Sequence, residues 1–199
     1  MAHLQKAQLL TLLLIIASFA VVLKASTQAV DTSPDDGYIS EGRYVNKFFD
    51  FTYKLPQGLI PNSTTFKKHP NTSSGHFAET FILLLAATPV KPYKNVAISV
   101  QSASDVKDGA AYLHKVAAAA MRNGLSVLGG PTEHTLAGKP FYRQDFYSSQ
   151  GAFIQTQVCT VYKDYALDFV FSAKERADVE GLFNSLRTLR FGTTDKSVQ

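Results

Sequence analysis

Five polar residues in the second half of the chain have the spacing expected of a ligand-binding face. They lie in three consecutive strand-like stretches, residues 141–147, 152–162 and 165–172, which are rich in aromatic and β-branched residues. Successive side chains of a strand point to opposite faces, so the register between strands decides which residues meet. If Phe146 lies opposite Ile154, one face collects Arg143, Asp145, Gln155, Gln157 and Asp168. We therefore predict that these five residues bind an unknown protein or a small polar ligand.

Arg143 is the most informative member of this group. Its guanidinium presents five fixed donors, which suit a carboxylate or a phosphate on a partner. The same face has a second interpretation, in which it is solvated or is held by an ion pair between Arg143 and Asp168 beneath a helix. The sequence leaves both interpretations open.

Acidic residues on separate elements provide an alternative, catalytic interpretation. Glycoside hydrolysis uses two carboxyl groups about 5–10 Å apart. Four acids could converge in this way: Asp105, Glu133, Asp145 and Asp168. Known motifs are incomplete, because Leu128 replaces the last glycine of a nucleophile elbow and Pro140 stands where a phosphate-binding P-loop needs Ser or Thr. No catalytic residue is predicted.

No metal or cofactor site is predicted either. Zinc sites generally contain a close pair of ligands, whereas the histidines after residue 29 are never two to five residues apart. Cys159 is the only cysteine, and its strand-like surroundings favour a small buried side chain over a reactive thiol. Nucleic-acid binding is not expected, because the densest basic run is only Lys67-Lys68-His69.

The N-terminal 29 residues have the pattern of a signal peptide. Residues 9–23 carry no charge, and Lys6 precedes them. Thr27 and Ala29 would occupy the −3 and −1 positions of a cleavage site, so we predict an exported protein, periplasmic or extracellular. Cleavage lowers Lys plus Arg from 20 to 18 against 16 acids, a net charge of +2. The alternative is an uncleaved anchor, which would hold the protein at a membrane.

The predicted mature chain contains one folded domain. Residues 30–42 carry four acids and little apolar material, which predicts a flexible acidic linker. The domain spans residues 43–191, and residues 192–199 are predicted to be a disordered tail. A long loop at residues 56–77 is rich in Pro, Asn, Ser, Thr and Gly, which is typical of a functional or mobile segment.

Hydrophobic periodicity predicts the remaining elements of this domain. Further strands are expected at residues 43–55, 77–87 and 96–102, with short extended segments at 126–128 and 132–136. Helices are expected at residues 108–123 and 174–189. For the first helix, Asp108 is the predicted N-cap and Gly124 the C-terminal glycine.

A two-residue turn at Lys163-Asp164 sets the register of the last two strands. It places Val158 opposite Phe169 on one face and Cys159 opposite Asp168 on the other. The first face is the predicted core. Its members, with two residues of the last helix, are Ile154, Val158, Leu167, Phe169, Phe171, Phe183 and Leu186.

Three segments and their order resemble the PsbP-like fold family. They are an aromatic strand ending in Pro-x-Gly at residues 51–59 (FTYKLPQGL), the strand at 165–173 (YALDFVFSA), and the end of the last helix at 186–191 (LRTLRF). The resemblance covers residues 43–191. It implies an α+β fold in which an antiparallel sheet of about six strands is sandwiched with helices.

The family includes lumenal extrinsic subunits of photosystem II, a Ran-binding import factor and exported bacterial proteins of unassigned role. Its members are mostly accessory or binding modules, and the resemblance supplies no catalytic residues. The expected function is therefore an exported, non-enzymatic binding or accessory module. The alternative is an extracytoplasmic hydrolase or sugar-active enzyme with carboxylates converging from separate strands.

Overall fold

The computed structural model describes residues 32–62, 82–89, 94–150 and 152–192. These residues form eleven β-strands, two α-helices and one short 3-10 helix. The strands belong to two antiparallel sheets of four and seven strands. The α+β class is as predicted, but the strands outnumber the six or so that the sequence led us to expect.

The larger sheet contains the strands of the predicted site. In spatial order its members are β4 (Leu59–Pro61), β5 (Ile82–Pro89), β6 (Lys94–Ser102), β10 (Tyr165–Ala173), β9 (Phe153–Tyr162), β8 (Lys139–Ser148) and β7 (Leu125–Leu136). The turn at Lys163-Asp164 has positive φ at both residues, and β9 and β10 pair in the predicted register. The two short segments predicted at 126–128 and 132–136 form the single strand β7, whose register with β8 shifts between Leu128 and Thr132.

The smaller sheet corrects the N-terminal part of the prediction. Its order is β1 (Gly37–Ser40), β2 (Arg43–Asn46), β3 (Phe51–Lys54) and β11 (Arg190–Phe191). Residues 37–42, predicted to belong to the flexible linker, form β1 and a turn. The single strand predicted at 43–55 is two strands, because the Asn46 side chain accepts a hydrogen bond from the Phe49 backbone N–H at 2.8 Å and stabilises a turn between them.

The two helices occupy the predicted places with different lengths. Helix α1 (Gly109–Arg122) begins after Asp108, whose carboxylate accepts a hydrogen bond from the Ala111 backbone N–H at 2.9 Å. Helix α2 (Arg176–Asn184) ends earlier than predicted and continues as a 3-10 helix, Ser185–Thr188. The hydroxyls of Ser185 and Thr188 donate to nearby backbone carbonyls, which favours the tighter turn.

Both faces of the larger sheet are covered, and they are named here after their helices. On the α2 face, Phe169 contacts rings of the smaller sheet, with centroids 6.0 Å away at Phe51 and 5.7 Å away at Tyr53. On the α1 face, Leu113 and Ala117 of α1 belong to two smaller apolar clusters. The sheet therefore has a main core on one side and a thinner one on the other.

The predicted core is largely confirmed. Five of its residues lie in the main cluster, and Phe183 packs against it partly exposed. Ile154 is the exception, since it is only half-buried and lies outside the cluster. The predicted signal peptide, residues 63–77 of the predicted loop and residues 193–199 of the tail lie outside the described residues.

Candidate functional site

The pairing of β8 with β9 differs by one residue from the predicted register. Phe146 lies opposite Gln155 instead of Ile154, and Asp145 lies opposite Thr156. Strand β8 is buried on both faces, with Phe141 in the main core and Phe146 against α1. When both faces are apolar, the hydrophobic pattern does not specify which one faces the main core, and this is why the predicted register was wrong.

The shift divides the five predicted binding residues between two faces. Arg143 and Asp145 lie on the α2 face, where their neighbours include Thr156 and α2. The other three lie on the α1 face: Gln155, Gln157 and Asp168. The single polar face does not form, and an Arg143 to Asp168 ion pair does not form either.

On the α2 face, Arg143 lies between two carboxylates. Its Nε donates to Asp145 Oδ1 at 2.9 Å, and its Nη1 donates to Glu180 Oε2 at 2.9 Å. Its Nη2 donates to both acids, and only 12% of the side chain is exposed. Arg176 adds a second cation beside Asp145. We call Arg143, Asp145, Arg176 and Glu180 the arginine cluster.

The arginine cluster is a structural joint. Burial by itself raises the pKa of Asp145, but hydrogen bonds from Arg143 and Thr156 outweigh it and hold that pKa below its usual value. The guanidinium carbon of Arg143 also lies 4.6 Å from the centroid of the Phe183 ring on α2. Four of the five guanidinium donors that could bind a ligand are thus already used to hold α2 against β8.

On the α1 face, Asp168 is a buried acid with an unused acceptor. It pairs with Cys159 of β9 and Ser99 of β6 in the sheet, and only 4% of it is exposed. Its Oδ1 has no hydrogen-bond partner, and neither has Gln157 Oε1 on the neighbouring strand. Burial raises the pKa of Asp168 to about 8, so the group is mostly protonated at neutral pH.

The side chains around Asp168 are not arranged for nucleophilic chemistry. Cys159 is fully buried, as predicted, and burial raises the pKa of its thiol, so the thiolate is disfavoured. Tyr112 of α1 is also buried, and its hydroxyl donates to Gln101 at 3.2 Å. In the described ranges, no group of three His, Cys, Asp or Glu side chains is placed to hold a metal ion.

The acids proposed for hydrolysis have separate surroundings. Asp145 and Asp168 lie on opposite faces of one sheet, so their carboxyl groups cannot flank one bond. Asp105 is exposed and paired with Lys115 at 2.8 Å. Glu133 lies on β7 opposite Tyr142.

A surface that the sequence analysis missed lies where the turns of the two sheets meet. Lys139 Nζ is 4.2 Å from the Tyr162 ring centroid and 5.0 Å from that of Phe191. Lys163 Nζ is 5.7 Å from the Tyr162 centroid and 5.3 Å from that of Phe48. We call this alternating set the lysine–aromatic ladder: Phe48, Lys163, Tyr162, Lys139 and Phe191.

Neither lysine of the ladder is paired with an acid in the described part of the chain. Lys163 also donates to the Phe48 carbonyl oxygen. Only the adjacency of Tyr162 and Lys163 was visible in the sequence. The other contacts join residues that are 20 to more than 100 positions apart, as in the Lys163 bond to Phe48.

Comparison with solved structures identifies the architecture. The solution structure of cyanobacterial PsbP (CyanoP) from Synechocystis sp. PCC 6803 is similar, with a TM-score of 0.53 and 11% sequence identity over 75% of this chain and 91% of that chain. No protein-family model matches the sequence, and no curated protein is significantly similar to it. The chain therefore has a PsbP-like fold, as the sequence resemblance predicted.

None of the helices in the described residues is long and apolar enough to span a membrane.

Proposed function

We propose that this protein is a non-enzymatic binding or accessory module that acts outside the cytoplasm. One observation carries the proposal: the ladder presents two lysines on aromatic rings without an acidic partner in the described residues. Charges that the fold does not neutralise attract an oppositely charged surface and orient it. Aromatic residues are likewise enriched where proteins bind each other.

The hydrolase alternative is less well supported by the arrangement of acids. It needs two carboxyl groups on one substrate. Asp145 is neutralised by the arginine cluster, and Asp168 lies beneath α1. A buried, mostly protonated acid with 4% exposure has no direct path to a bound substrate.

The PsbP-like fold supports the same choice. The sequence resemblance implies accessory or binding proteins, and the fold likeness is the part of that resemblance with independent support. The sites that made the sequence analysis favour a small polar ligand are now divided between two faces. A protein partner is therefore the better supported ligand.

Export through a cleaved signal peptide is part of the proposal. The uncharged run at residues 9–23 and the small residues before position 30 support it. In the organism that encodes the protein, we expect the extracytoplasmic fraction to contain a species that begins at Val30, as measured by intact mass. A full-length species that stays with the membranes after a carbonate wash would show that the segment is an anchor.

Chemical cross-linking in that organism tests the binding role. The tagged full chain is cross-linked, purified and compared with the double variant Lys139→Gln/Lys163→Gln and with Lys107→Gln. Lys107 is the matched control, because it is exposed and the structure gives it neither a ring contact nor an ion pair. We expect a discrete cross-linked species with the original chain and the control, and loss of that species with the double variant.

Two results would contradict the proposal. The first is recovery of the chain without a partner under every cross-linking condition. The second is release of product from chromogenic ester or glycoside substrates that Asp168→Asn or Glu133→Gln abolishes. The second result would instead establish the hydrolase.

A further inference from the structure

The ladder has a geometry that restricts the chemistry of its partner, and this inference rests on the proposed binding function. Both ammonium groups lie over the Tyr162 ring, at 4.2 and 5.7 Å from its centroid, so they are no more than about 10 Å apart. Phe191 and Phe48 lie at the two ends of the set. The ladder is thus a pair of cations at a defined spacing.

The rings hold these cations in place before any partner binds. A lysine ammonium is attracted to the negative face of an aromatic ring. Lys163 has a further hydrogen bond to the Phe48 carbonyl oxygen. Side chains that are already ordered lose less conformational freedom on binding than free surface lysines do. The ladder is therefore pre-organised for an anion.

The surroundings favour a peptide over a membrane surface. The ladder rings are only half-buried and do not protrude as large exposed apolar side chains. The chain without its first 29 residues has a net charge of only +2, whereas adsorption to anionic lipid uses clusters of several basic residues. Two cations at fixed spacing match a partner with two anionic groups at fixed spacing.

We propose that the lysine–aromatic ladder binds an acidic segment of a protein partner in an extended conformation. Residues rise about 3.3 Å each along an extended strand, so side chains two positions apart lie on the same side about 7 Å from each other. Carboxylates at such positions reach Lys139 and Lys163 together. The segment has alternating Asp or Glu residues, and its carboxylates bind the two ammonium groups.

Fluorescence anisotropy with two labelled peptides tests this. One peptide repeats Glu-Ser and the other repeats Gln-Ser at the same length, and both are titrated with the full mature chain. We expect only the Glu-Ser peptide to bind. We expect Lys139→Gln and Lys163→Gln each to weaken its affinity about fivefold, the upper end for an exposed ion pair.

Three controls separate this surface from general electrostatics. Lys107→Gln removes the same charge elsewhere and should leave the affinity unchanged. Lys139→Arg keeps a cation over the rings and should retain binding. Raising the salt from 0.05 to 0.5 M should weaken binding, because charge interactions at the surface are screened. Thermal melts of each variant show that it is folded.

Several outcomes would overturn the proposal. They are equal binding of both peptides, equal loss with Lys107→Gln, and unchanged affinity in the folded double variant. Binding to phosphatidylglycerol vesicles that the double variant abolishes, with no peptide binding, would identify a lipid surface instead. A dimer in sedimentation that the double variant dissociates would identify a second copy.

The two proposals fail in different ways. If the cross-linked partner disappears with the double variant but the Glu-Ser peptide does not bind, the binding function stands and the acidic segment is wrong. If no partner is found in cells and the hydrolase assay is positive, the proposed function itself is wrong.

Discussion

Asp168 is the residue whose ionisation is most tightly coupled to folding. Burial disfavours the carboxylate and raises its pKa from 3.8 to about 8. The unfolded chain therefore releases this proton near pH 4, while the folded chain keeps it until about pH 8. Between these values the folded state binds more protons, so its stability falls as the pH rises.

Asp168→Asn tests this coupling at the level of one residue. Asparagine has nearly the same shape and no charge, so the variant should lose less stability than the original chain between pH 5 and pH 8. Since about 1 kcal/mol shifts the midpoint of a domain of this size by about 2–4 °C, the difference should be several degrees. Thermal melts at both pH values measure it, with Asp105→Asn as an exposed control. Parallel pH profiles for the original chain and Asp168→Asn would show that Asp168 is ionised in the folded state.

Arg143 makes its contacts with Asp145 and Glu180, and these predict how mutations combine. A double-mutant cycle of Arg143→Ala with Glu180→Ala should give a coupling of about 1 kcal/mol, because Glu180 is partly exposed. The cycle of Arg143→Ala with Asp168→Ala should give about zero, because the two residues lie on opposite faces of the sheet. Urea unfolding of the single and double variants provides both numbers. A coupling above about 2 kcal/mol between Arg143 and Asp168 would contradict the register of β8 and β9.

At the level of elements, α1 packs on the sheet by a close approach at its first residue. A Cβ added to Gly109 would lie 2.4 Å from the Cys159 backbone oxygen and 2.9 Å from the Tyr142 ring. Further along, Ala117 and Ala120 face Phe146. Small side chains therefore let the helix lie near β8 and β9, and the same contact closes the region over Asp168.

Gly109→Ala and Gly181→Ala form a matched pair that tests this packing. The first should destabilise the protein by about 1–3 kcal/mol, because the strand backbone has to move. The second should stabilise it by about 0.5–1 kcal/mol, because Gly181 lies in α2 with nothing within 4 Å of its added Cβ, and alanine favours helix. Chemical denaturation with a common m-value measures both. Equal effects at the two positions would mean that α1 lies farther from the sheet.

At the level of the whole molecule, Phe169 joins the two sheets. Its ring centroid lies within 6.2 Å of those of Phe51, Tyr53 and Phe141, which belong to three different strands. The side chain is fully buried in the main core. Packing between the sheets therefore depends on this one position more than on any surface contact.

Phe169→Ala should weaken the whole fold. Truncation of a buried phenylalanine costs about 3–5 kcal/mol, a large fraction of the stability of a typical domain. The thermal midpoint should therefore fall by about 10 °C or more, whereas Tyr147→Ala, on an exposed ring of the same sheet, should change it little. A shift of only a degree or two for Phe169→Ala would show that the two sheets do not share this core.

Local patterns in the sequence were enough to determine the elements whose partners lie close by along the chain. The pairing of β9 with β10 follows from the turn at Lys163-Asp164, and the start of α1 follows from the Asp108 cap. In both cases a few adjacent residues contain the whole signal. The helical and strand periods then indicated most of the core.

Tertiary structure alone decided the features that depend on two surfaces meeting. The register of β8 with β9 placed Arg143 and Asp168 on opposite faces, because β8 is apolar on both sides and its pattern fits either register. The smaller sheet pairs β3 with β11 from the far end of the domain, and this places Phe191 beside Tyr162. The lysine–aromatic ladder depends on that pairing. Contacts between residues so distant in sequence are set by packing of the whole core, which no local pattern records.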